Sequence, residues 1–215
     1  MTRRSQRRWP RFLLGNYAGP LASFQSYCLA YGGWRAVARS PYLRIAVMLA
    51  VLTAGTWTES NWWETPLSVL PNLVGFTLGG YAILIAFGDE RFKALLTQTV
   101  PEKPASTFMA INATFVHFLV VQVAALLLAV FAKSRPLSFV LSLIPGDPYA
   151  ALVDTWPSIA FTRRCIVTMA WFVGYTMFLY AIVSALAATA AIFWVGGWFE
   201  KFEKTKQRET ERDGR

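Results

Sequence analysis

The segment Ser68–Gly88, SVLPNLVGFTLGGYAILIAFG, decides how the rest of the chain is read. It holds no charged residue, and at about 1.5 Å per residue a helix of this length matches the ~30 Å hydrocarbon layer of a bilayer. Its small and polar residues, Ser68, Asn72, Gly75, Gly79, Ala82 and Ala86, recur at alternating steps of four and three. On a helix that spacing makes one continuous stripe. Leu70, Phe76, Ile83 and Phe87 fall elsewhere around the cylinder. A face so smooth lets another backbone approach closely, and Gly75-x-x-x-Gly79 is its tightest point.

Working outward, the same pattern repeats. Of the 215 residues, 55% are hydrophobic and only 15% are charged, and the charges gather at the ends and between long apolar runs. That distribution predicts an all-α integral membrane bundle of four transmembrane helices with an N-terminal interfacial amphipathic helix. The predicted spans cover residues 42–58, 67–88, 108–132 and 165–198, inside a transmembrane domain of residues 42–199. Residues 1–41 form a basic arm and the interfacial helix, with Leu21, Phe24, Cys28 and Tyr31 on one face and Gly32-Gly33 ending it. Residues 200–215 form a charged tail. The last apolar run extends to Phe199, about 50 Å of helix, so it must tilt, protrude or break near Gly196-Gly197. The connection 133–164 has a PGDP turn and flanks apolar enough to rest on the membrane or re-enter it.

Lysine and arginine counts set the orientation. With both termini cytoplasmic, the inner parts hold eight (1–44), three (89–107) and six (201–215), against four outside: Lys133, Arg135, Arg163 and Arg164. This bias predicts a multi-pass protein of a bacterial inner (plasma) membrane, and the four outer cations run against it. The net charge of +9 is therefore read as affinity for anionic lipid headgroups and not for nucleic acid. Arg3, Arg4, Arg7, Arg8 and Arg11, interleaved with Trp9 and Phe12, are the headgroup-binding candidates.

Chemistry-bearing residues are sparse. His117 is the sole histidine and lies within a predicted span beside Thr114. An ionisable group there reads as a gate or relay, or as an interhelical hydrogen bond. Asn72, Asn112 and Gln122 are amides in the spans, and Asn72 shares the glycine stripe. No HExxH, Walker loop, Ser/His/Asp set or paired intramembrane carboxylates occur, so no enzyme, metal site or cofactor is expected. Cys28 and Cys165 fall at opposite membrane faces, which excludes a disulfide between them.

The stripe has two readings: ordinary helix contact, or a wall that several copies turn toward a shared axis. The sequence accordingly predicts a homo-oligomeric pore or channel-like assembly, with Ser68, Asn72, Gly75, Gly79, Ala82, Thr114 and His117 as its pore or helix-packing residues. The alternative is a non-conducting anchor or sensor subunit that recruits a cytoplasmic protein partner, as in bacterial stress or defence systems.

Overall fold

A computed structural model of the chain describes residues 18–59, 61–86, 88, 90–98, 106–143, 148–156 and 158–213. Every regular element among them is a helix. In chain order these are α1 (Ala18–Tyr31), α2 (Gly33–Arg39), α3 (Pro41–Leu52), α4 (Ala54–Trp57) and α5 (Glu64–Ala86). There follow α6 (Glu90–Thr97), α7 (Thr107–Ser134), α8 (Pro136–Ser142), α9 (Pro148–Thr155) and α10 (Ser158–Asp213). Three of them, α5, α7 and α10, are long and apolar enough to cross a membrane, whereas α3 is an apolar helix of only 12 residues, Arg44 among them.

The long helices pack in a chain of neighbours: α5 on α7, α7 on α10, and α10 on α3. α3 meets the core through Ala46 and Ala50, both fully buried in a cluster with Tyr175, Phe178 and Ala181 of α10. Small side chains on both helices allow this close contact without a polar group to satisfy. The helix is interrupted at Thr53, and the Trp57 indole N–H donates back to the Ala50 carbonyl at 2.6 Å, supplying a donor beside the interruption. α5 runs through Pro71 without a break, and Pro66 falls in its first turn, where a missing N–H costs nothing.

Two polar rungs join α5 to α7. Tyr81 donates to Asn112 Oδ1, and Gln122 Nε2 donates to Thr77 Oγ1 at 2.9 Å. Thr77 in turn donates to the Leu73 carbonyl, so its hydroxyl is used in both directions.

α10 continues unbroken through Gly196 and Gly197 to Asp213. Each glycine costs a helix about 1 kcal/mol, but Phe92 of α6 packs on Phe199 and Phe202 directly after the pair and braces it. α1 docks on α7, leaving Phe24 and Leu29 exposed. Its attachment is made by tyrosines, as the site geometry explains. The end foreseen at Gly32-Gly33 is present, with φ of +96° and +65°, a left-handed turn that glycine adopts without steric cost.

Candidate functional site

Two regions hold the residues singled out from the sequence, and they lie apart in character: one is buried and polar, the other exposed and smooth.

The first centres on His117, which is 3% exposed on α7. Its Nδ1 lies 2.8 Å from the Tyr27 hydroxyl of α1, and its Nε2 lies 2.8 Å from the Tyr180 hydroxyl of α10. A neutral imidazole has one N–H and one lone pair, so one tyrosine donates to the ring and the other accepts from it. Tyr31 stacks on the imidazole with ring centroids 3.9 Å apart and planes 18° apart. The hydroxyls of Tyr31 and Ser40 also hydrogen-bond with that of Tyr180. Burial pushes the Tyr27 hydroxyl up to about 12, with smaller contributions from Cys28 and Tyr180. Burial likewise raises Tyr31. The group is therefore a chain of neutral hydroxyls and one imidazole that ties three helices together.

Sequence reading found His117 but not its partners. Tyr27 and Tyr31 are four apart, so they share a face of α1, but nothing in the spacing says which span they meet. Thr114, one turn before His117, spends its hydroxyl on the Ala110 carbonyl of its own helix. Asn112 and Gln122 face α5 instead of the histidine.

The second region is the stripe on α5. Ser68, Asn72, Gly75, Gly79, Ala82 and Ala86 are all exposed on the outside of the protomer. A Cβ added at Gly75 or Gly79 would meet no atom within 4 Å. The helix instead meets its own protomer through Pro66, Leu70 and Thr77, which are buried. Leu70, which the sequence places off the stripe, is a core residue. Ser68 donates to the Thr65 carbonyl of its own turn.

The headgroup candidates Arg3, Arg4, Arg7, Arg8 and Arg11 lie outside the described residues. Among the described residues, no group of three or more His, Cys, Asp or Glu is placed to hold a metal ion. Cys28 and Cys165 are free thiols. No protein-family model, curated protein or solved structure matches the chain.

Proposed function

We propose that this protein is a small multi-span protein of a bacterial inner membrane whose copies assemble through α5 into a channel-like homo-oligomer. One observation carries the reading: the small and polar stripe of α5 is left uncovered by the other described residues of its own chain. A second copy supplies the backbone that a Gly-x-x-x-Gly face admits, and Ser68 and Asn72 add polar groups along the same line. In this proposal α3 and α4 together make a short fourth crossing and both termini are cytoplasmic, in keeping with the lysine and arginine bias. No catalytic role is proposed for any residue.

The test is conductance of the purified protein in planar bilayers, beside its oligomeric state by chemical crosslinking. Discrete currents that Gly79→Leu abolishes or resizes support a pathway beside α5. Intact oligomers that stay silent over a wide voltage and pH range count against a constitutive pore.

A second reading is favoured by a separate observation. α10 continues as an exposed, charged helix through residues 200–213, with Lys204 paired to Glu200 and Lys206 to Glu203. Such an extension suits an anchor that recruits a cytoplasmic partner. Deleting residues 200–215 abolishes function in that case and leaves conductance intact in the other.

A further inference from the structure

The four cations that oppose the lysine and arginine bias are not scattered over the end of the bundle. Three of them, Arg135, Arg163 and Arg164, line a single cleft of about 980 Å³ between the end of α7 and the start of α10. Among the described residues none of the three pairs with a carboxylate. Arg135 and Arg163 rest instead on aromatic faces, with guanidinium carbons 5.5 Å from the Trp63 ring centre and 4.8 Å from that of Tyr149. Among the described residues no aspartate or glutamate lines the cleft.

Away from the arginines the walls change character. Leu128 and Ala132 of α7 face Val167 and Trp171 of α10, and the cleft reaches Gly174. From Arg163 to Gly174 is about 16 Å along the helix, at 1.5 Å rise per residue. The cleft is therefore a cationic mouth on an apolar throat, with tryptophans between, and the helices on either side are two of those long and apolar enough to cross a membrane.

We infer that this cleft binds an anionic membrane lipid, its phosphate held among Arg135, Arg163 and Arg164 and a hydrocarbon chain lying along Leu128, Val167 and Trp171. Charge complementarity selects the occupant. Three guanidiniums with no carboxylate partner among the described residues call for an anion, and arginine forks suit phosphate oxygens. An inorganic anion would use only the mouth and leave the apolar throat wet, while a neutral lipid would leave the cations unneutralised. Basic pockets between membrane helices hold acidic headgroups for these reasons. The inference rests on membrane embedding alone, so it stands or falls separately from oligomerisation through α5.

The test uses the full chain in detergent and native mass spectrometry, titrated with dioleoyl phosphatidylglycerol, dioleoyl phosphatidylcholine or glycerol phosphate. Phosphatidylglycerol is expected to bind tightest and to remain bound at the highest activation energy. The double variant Arg163→Gln/Arg164→Gln should lose roughly twenty-fold in phosphatidylglycerol affinity, about fivefold per arginine, and little for phosphatidylcholine. Ala132→Phe, which narrows the throat with the arginines intact, should weaken the lipid and leave glycerol phosphate unaffected. Equal binding of the two lipids by the natural chain overturns the proposal without reliance on any variant. Glycerol phosphate binding as tightly as phosphatidylglycerol also overturns it, and assigns the arginines to a small anion.

Discussion

The His117 Nε2 and the Tyr180 hydroxyl, 2.8 Å apart, join α7 to α10 through the only histidine in the chain. Because Tyr27 takes the other ring nitrogen, the imidazole holds α1 and α10 at once. His117→Phe removes both bonds while keeping a flat ring for Tyr31 to stack on. Interhelical hydrogen bonds in membranes contribute about 0.6 kcal/mol on average and up to ~1.7. The expected loss is therefore about 1–3 kcal/mol, read as a shift in the denaturant midpoint in mixed micelles. A midpoint equal to that of the natural chain sinks the account.

The same group sets a pH limit at the alkaline end. Burial raises the Tyr27 hydroxyl to about 12 in the folded chain, against about 10 for a free tyrosine. A raised pKa means that the folded form holds its proton more tightly. The docked α1 is thus fully stabilised below pH ~10 and loses that contribution as pH rises through about 12. Titration of tyrosinate absorbance should show a group of late-ionising tyrosines, Tyr31 among them, that is smaller by one in Tyr27→Phe. The variant's stability should also vary less between those two values. Superimposable curves for the two proteins would refute the docking.

Gly174 and Trp62 are a matched pair. A Cβ at position 174 would lie 2.7 Å from the Trp62 ring, which is itself in edge contact with Trp63 and Tyr175. Gly174→Ala must push a packed aromatic cluster apart, at a cost of about 1–3 kcal/mol typical of overfilled cores. Trp62→Leu in the same chain should recover part of that loss. A Gly174→Ala protein as stable as its parent is the result that rules this out.

Gly79 provides the opposite case. Nothing stands within 4 Å of the position its Cβ would occupy, so Gly79→Leu should leave the protomer folded, with unchanged circular dichroism and thermal midpoint. Its effect should fall on association: crosslinked oligomer should drop several-fold in dilute micelles. Gly80→Leu serves as the neighbouring contrast, because a Cβ there meets Ile192 at 3.3 Å and acts on the protomer itself. Crosslinking that is indifferent to Gly79→Leu would remove α5 from the interface.

Membrane character was legible in the sequence because it rests on length and hydropathy, which are local. Ser68–Gly88 announces α5 by both, and α7 and α10 follow in the same way. The stripe on α5 was legible too, since helical spacing alone puts Gly75 and Gly79 on one face. Whether that face looks in or out was not, because it depends on which side of α5 the Thr77–Gln122 and Tyr81–Asn112 rungs draw toward α7. The tyrosine cage around His117 was hidden for a similar reason. Tyr27 and His117 are 90 residues apart, and only tertiary folding brings them together. The arginine cleft could be counted but not located: Arg135 and Arg163 looked like exceptions to a charge rule until α7 and α10 placed them around one space.

The unbroken course of α10 has a mechanical consequence. Fifty-six residues in one helix make a rod of about 84 Å. From Gly174, where Trp62 pins it, the rod runs on for about 58 Å to Asp213. A helix of that length is a lever. A tilt of about 10° at Gly174, set by nothing more than a change in bilayer thickness, carries the far end through roughly 10 Å. Whatever docks at that end would feel the state of the membrane as displacement.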